Sequence, residues 1–352
     1  VGQVGRVGRV GYGLEREGGF SLPELLVSLS ITLVVTAAAL TALQDANRTT
    51  QAATVMSDVN QNLRVGMNLL IRDLLLAGSR VPTGGIPVPS GEGALPILRP
   101  GPTGSTLTFP PEWTTLPAVS PGPALGQVIN GVQTDVVTIL YVDVRLDLGT
   151  AAAIAEDGSS ITLPDTVAVD DPAAGIREGD LIMITNGLGN ALQEVTAVEG
   201  QQLIFAATAE SGLNQREAPQ GSVLQLRNPD GTWPAGGVTA TRIQMVSYYL
   251  EVPSSGPVTA PHLIRRMNYG EARAIAVGIE NVQLTWDLVD GVTNPTNIDT
   301  PEPPQSPHQI RKANVYMAAR AIQQYSGLDQ VLRGSLTTQV SLRNMAFVDR
   351  YR

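Results

Sequence analysis

A charge-free run over residues 25–44, headed by the single carboxylate of Glu24, constrains this chain more than any other feature. As a helix it spans about 30 Å, the thickness of a bilayer's hydrocarbon core. Ser28, Ser30, Thr32 and Thr36 dilute its apolar character. A helix carries such residues by bonding each hydroxyl back to a carbonyl of the preceding turn. Ala37, Ala38, Ala39 and Ala42 suit close packing of one helix on another. Arg6, Arg9 and Arg16 precede the run, which predicts an N-inside, C-outside orientation. A carboxylate at the edge of such a segment is costly, so it calls for a partner and a task.

Three arrangements begin with a basic leader and an apolar run. A secretory signal places a small-residue cut near residues 37–39. Pro23 and Glu24 then stand where its apolar core should begin, and the helical pattern continues past the cut. A plain membrane anchor leaves Glu24 incidental. The third arrangement rests on Gly19-Phe20-Ser21-Leu22-Pro23-Glu24-Leu25-Leu26-Val27, which resembles the type IV prepilin signal. Gly precedes the cut, Phe follows it, and Glu stands four residues beyond Phe20.

The resemblance implies cleavage after Gly19 by a prepilin peptidase and N-methylation of Phe20. It also implies an assembly segment of Leu22, Pro23 and Glu24, with the Glu24 carboxylate accepting the α-amino group of Phe20 on a neighbouring subunit. Opposite charges attract strongly at low dielectric, and pairing offsets part of the cost of burial. Pro23 suits the first helical turn, where its missing N–H forfeits no bond.

The helical pattern does not stop at membrane length. Val55, Val59, Leu63, Met67, Leu70 and Leu74 recur at three- and four-residue spacing, one apolar stripe. No proline interrupts residues 24–80, and Gly78 before Val81-Pro82 reads as the stop. The prediction is one helix of about 55 residues, roughly 80 Å long. Its transmembrane half covers residues 20–44, and its outer half, 45–79, lays the stripe on a sheet. Gly66 costs about 1 kcal/mol against Ala inside a helix, and it reads as a point of close backbone approach.

Residues 80–131 are rich in Pro and Gly and read as a wrapping loop with one or two edge strands, such as Thr106-Leu107-Thr108-Phe109. From there the texture is β. Over 132–228, strands are expected at 136–142, 161–163, 181–185, 193–198, 202–205 and 223–226, with Asp157-Gly158, Asn186-Gly187 and Glu199-Gly200 as turns. This block reads as an inserted small β-barrel or sandwich subdomain. Over 229–352, a C-terminal pilin-like β-sheet is expected. Its strands are 242–250 and a hairpin partner at 263–267, then a helical or turn entry at 274 into a strand ending at 287, and a strand at 310–320. The fold class is therefore α+β, a long N-terminal pilin helix packed on an antiparallel sheet. The helix end Arg72-Asp73-Leu74 through Ala77-Gly78 is similar to that of PilW-type minor pilins and of J-type pseudopilins. The Tyr248-Tyr249 strand with its Arg265-Arg266 hairpin is similar to PilW-type minor pilins.

Composition removes other chemistries. A formal net charge of −9 argues against a protein that tracks nucleic-acid phosphates. The chain has no cysteine, so disulfides, thiolate nucleophiles and Cys-ligated zinc are excluded. His262 and His308 are its two histidines, each after a proline, and both read as exposed loop residues. Asp170-Asp171 and Arg265-Arg266 read as solvated charges or surface pairs. Asp287, Asp290 and Asp299, with Asn294 and Asn297, form an oxygen-rich loop that is the calcium candidate. Its spacing matches no EF-hand and suits Asx turns, so the expectation is no metal and no cofactor.

No catalytic residue is expected. The resemblance implies a PilW-type minor pilin, with major and minor pilins, prepilin peptidase and the inner-membrane assembly platform as partners. Its place would be the inner membrane with a periplasmic C-terminal domain, then the pilus and cell surface. The inserted β block suits a tip or priming position. The alternatives are a J-type pseudopilin of type II secretion and a membrane-anchored periplasmic adhesin or hydrolase, the latter needing His262 or His308.

Overall fold

The computed structural model describes residues 19–144, 148, 152–172, 174–254, 259–322 and 331–347. The expected leader, apart from Gly19, lies outside the described residues. One helix, α1 (Leu22–Leu76), runs for 55 residues without a break. The chain divides into two compact units, Val1–Thr54 and Val55–Arg352.

In the first unit, residues 22–50 of α1 are exposed throughout. The hydroxyls of Ser30, Thr32 and Thr41 donate to the carbonyls of Leu26, Ser28 and Ala37 at 2.8, 2.7 and 2.9 Å. These three hydroxyls are thereby satisfied within the helix, as an apolar surrounding requires.

In the second unit, α1 buries Val59, Leu63, Gly66, Met67, Leu70, Asp73 and Leu74, the stripe that the periodicity predicts. At Gly66 a Cβ would stand 2.9 Å from Leu263 Cδ2 and 3.3 Å from Met317 Sδ, so the helix approaches the sheet where it has no side chain. Gly78, at φ +75°, ends the helical run in a conformation that glycine adopts without strain. Its N–H donates to Leu140 O at 2.9 Å.

The longer strands are β1 (Val137–Val142), β2 (Leu181–Asn186), β3 (Gly189–Glu194), β4 (Thr239–Glu251), β5 (His262–Met267), β6 (Ala272–Val277), β7 (Ile279–Leu288), β8 (Ile310–Arg320) and β9 (Arg333–Ser341). Among the described residues, β3-β2-β4-β5-β6 form an antiparallel path, with β1 on the other edge of β4. Strands from both sides of residue 228 thus share this sheet. β1 and most of β4 are buried on both faces, which is why residues 136–142 read as a continuous apolar run rather than an alternation. Val137, Ile139, Val246 and Tyr248 pack toward α1. Leu140, Ile243 and Met245 face the other way, onto Ile86, Phe109 and Leu116 of the wrapping segment. A second sheet, β7-β8-β9, joins the helix side of the core through Trp286, Val315 and Met317. Ala153–Ile154, Ser160–Thr162, Ala197–Glu199 and Gln202–Ile204 form a small sheet. With β2 and β3 they enclose Ile161, Ile184, Leu203 and Phe205, a curled half-barrel with its own core.

Several expectations are corrected. Val223–Leu226 is a 3-10 turn, not a strand. Its buried residues are Val223 and Leu226, three apart, and a four-residue apolar run cannot distinguish the two states by periodicity. Residues 193–198 are not one strand but the end of β3 and the start of Ala197–Glu199. The entry at 274 is the strand β6, turned into β7 at Gly278, φ +81°. Thr106-Leu107-Thr108-Phe109 contributes only the isolated bridge Leu98↔Thr108.

Arg265 is not a solvated charge. Asp73 is fully buried, and its Oδ2 accepts from Arg265 Nε and from the Tyr248 hydroxyl, both at 2.7 Å. Arg72 reaches its Oδ1 at 3.3 Å. Burial, then the adjacent Asp73 charge, push the Tyr248 hydroxyl above the ordinary tyrosine range. Burial is the largest single influence on Arg265 and lowers its pKa, but the bond to Asp73, the Asp73 charge and the neighbouring tyrosines together outweigh it and the net shift is upward. The last turns of α1 are thereby tied to β4 and β5 by a buried, charge-assisted network.

Candidate functional site at the helix N-terminus

Gly19, Phe20 and Ser21 are non-helical and exposed, and α1 begins at Leu22. Among the described residues beyond its chain neighbours, no heavy atom lies within 4 Å of a Cβ placed on Gly19. Phe20 is 87% and Leu22 74% exposed. The Gly19-Phe20 peptide bond therefore sits in open, irregular backbone, the state a peptidase needs in order to engage it.

Ser21 is the N-cap residue, which the reading of the motif overlooked. Its hydroxyl accepts from Glu24 N–H at 3.4 Å and donates to Glu24 Oε2 at 2.9 Å, while its own N–H donates to Oε2 at 3.0 Å. This is the reciprocal Ser-x-x-Glu capping arrangement. It was legible in the spacing of Ser21 and Glu24. Pro23 occupies the second helical position, where no intrahelical donor is lost. Leu22, Pro23 and Glu24 thus share one turn. Glu24 Oε1 carries no hydrogen bond among the described residues, so the carboxylate is oriented by its own helix yet retains an acceptor for an outside cation.

Behind this tip, Leu25, Leu26, Val27, Leu29, Ile31 and Leu33 are all more than half exposed. The helix is long and apolar enough to cross a membrane, and none of its apolar window is buried. An apolar surface of this extent requires lipid or other helices as its medium.

The other candidate residues have structural employment. Asp287 Oδ1 accepts from Asn297 N–H and the Asn314 amide, and its Oδ2 accepts from Gln339. Asp290 accepts backbone N–H bonds from Asn294, Val292 and Thr293 and the Thr293 hydroxyl. Those bonds hold its carboxyl well below the ordinary carboxylate range. Asp299 is exposed. Among the described residues, no three metal-capable side chains come together. Neither histidine is an exposed loop residue. His262 opens β5, opposite Glu251 and Val277, with Nε2 buried and without a hydrogen-bond partner among the described residues. His308 sits half-buried in the 3-10 turn Pro307–Gln309, where burial and then Arg311 lower its pKa.

Residues 15–40 match the family model described as the prokaryotic N-terminal methylation motif. No curated protein and no solved structure matches the chain. The matched segment contains Gly19, Phe20, Ser21 and Glu24 and continues into the apolar part of α1. Motif and helix together support a type IV pilin-like or pseudopilin-like protein anchored by its N-terminal helix.

Proposed function

We propose that this chain is a minor pilin of the PilW type, cut after Gly19, N-methylated at Phe20 and assembled with other pilins into or beneath a type IV pilus. The observation that carries the reading is the methylation motif at the head of an uncovered apolar helix. Its mechanism is assembly rather than catalysis. Cleavage frees the Phe20 amine, and that cation meets Glu24 Oε1 of a neighbouring subunit while Ser21 holds Oε2. Exchanging solvent for an amine offsets the cost of carrying Glu24 into a bundle of helices. Head-to-tail repetition of such a contact gives an open filament rather than a closed ring.

Partners in this reading are major and minor pilins, the prepilin peptidase and the inner-membrane assembly platform. The unit from Val55 onward lies on the periplasmic side before assembly and on the pilus afterwards. The half-barrel core adds mass that suits a tip or priming position better than a repeating shaft. A J-type pseudopilin of type II secretion is the second reading, favoured by the same motif and helix end.

Mass spectrometry of the purified protein tests the class: the first residue is N-methyl-Phe20, and a chain retaining residues 1–19 refutes it. Glu24→Ala is expected to leave cleavage intact and to lower filament incorporation at least about tenfold, the equivalent of ~1.4 kcal/mol of lost pairing. Recovery of the unsubstituted protein in pili but not in secretion pseudopili, or the reverse, separates the two readings.

A further inference from the structure

The sheet β7-β8-β9 treats its two edges differently. Along β7 the backbone is occupied. Val282 O accepts from Asp135 N–H, Leu284 N–H donates to the Asp135 carboxylate, and Trp286 exchanges both bonds with Ile298 at 2.8 and 3.1 Å. Leu288 N–H donates to Pro295 O.

Along β9 the parity of the ladder shows which groups face outward. Leu342 N–H donates to Arg311 O and Ala321 N–H to Leu332 O, both at 2.8 Å. The antiparallel register runs unbroken from Lys312↔Ser341 to Arg320↔Arg333. Antiparallel pairing alternates, so the even-numbered residues of β9 spend their backbone groups on β8. Arg333, Ser335, Thr337, Gln339 and Ser341 point both N–H and C=O away from the sheet. Among the described residues, none of these groups has a partner. The open edge is nine residues long, about 30 Å. It holds no proline, acidic residue or bulge, the devices by which such edges are usually blunted.

Charge indicates what would fit there. At one end Arg333 lies opposite Arg320 and pairs with Glu280 at 2.8 Å. At the other, Lys312 and Arg343 are exposed. The centre, residues 334–340, is uncharged. A second β9 running antiparallel would return its own arginines to these basic ends, a like-charge arrangement that disfavours self-pairing.

We propose that β9 is a strand-addition site for an extended segment of another protein, about nine residues long, uncharged at its centre and acidic at both ends. Such a site belongs to the sheet alone and is independent of the assembly contact at Glu24.

The test uses the full chain in detergent micelles with Thr337→Cys, which introduces the single thiol of an otherwise cysteine-free protein. The probe is the synthetic peptide Asp-Thr-Thr-Val-Cys-Val-Thr-Thr-Asp, and the control carries Lys at both ends. Val292→Cys, at a site 85% exposed, reports plain thiol reactivity. With copper–phenanthroline and dissolved oxygen as the oxidant that takes up the two electrons and two protons, disulfide trapping at position 337 is expected to be about tenfold faster with the acidic-ended peptide than with the lysine-ended one. It should also exceed trapping at position 292. Adding Ser335→Pro, which deletes one outward N–H and leaves the β8 ladder whole, should slow trapping without moving the unfolding midpoint. Equal rates for the two peptides, equal rates at 337 and 292, or faster chain-to-chain than chain-to-peptide disulfide formation would overturn the proposal.

Discussion

Two buried acids illustrate opposite consequences of desolvation. Asp73 is matched by Arg265 and Tyr248, so removing it leaves a buried cation and a buried hydroxyl without their acceptor. Asp73→Ala is expected to destabilise the protein by about 3–5 kcal/mol, measured by denaturant unfolding in micelles, with Asp73→Asn costing less. Glu194 is poorly matched. Its Oε2 is buried with no hydrogen-bond partner among the described residues, and burial raises its pKa. Its native form therefore holds the proton over a window above the ordinary glutamate range in which the unfolded form has lost it. Stability falls as pH rises through that window and stays lower above it. Glu194→Gln should raise the unfolding midpoint at neutral pH, and the gain should shrink as pH is lowered through the window. An unchanged pH profile in the variant would contradict this assignment.

At the scale of elements, α1 was legible because each decision along it depends on residues three or four positions away. The stripe from Val55 to Leu74, the stop at Gly78 and the close approach at Gly66 were all readable this way. Gly66→Ala is expected to be nearly neutral. The added helix propensity, about 1 kcal/mol, offsets displacement of the flexible ends of Leu263 and Met317. Gly66→Leu should cost about 1–3 kcal/mol by overpacking, and thermal melts of the two variants distinguish these outcomes. β9 was not legible. Its inward row, Gly334, Leu336, Thr338 and Val340, is only partly covered, so its alternation of polarity is shallow. Val223–Leu226 failed for the reverse reason, an apolar run too short to declare a period.

For the whole molecule, the two units obey different solvents. Residues 22–50 have no protein cover, whereas the unit from Val55 onward buries its apolar residues against its own sheets. With the cysteine-free background, Thr32→Cys in native membranes should resist a water-soluble maleimide. Gln51→Cys should react from the outer side only. Labelling of both positions, or of Gln51→Cys from the inner side, would contradict the proposed insertion.

By itself the amino-acid order determined the rod, its N-terminal methylation motif, its capped start and its glycine stop. These rest on helical periodicity and on groups a few residues apart, whose energies are set before any other part of the chain arrives. The tertiary structure alone decided that Asp73 would meet Tyr248 and Arg265, 175 and 192 positions away. It also decided that β4 would join strands from both sides of residue 228 and that one sheet edge would be covered and the other left open. Such pairings follow from which surfaces exclude water from one another, and no local pattern carries that information.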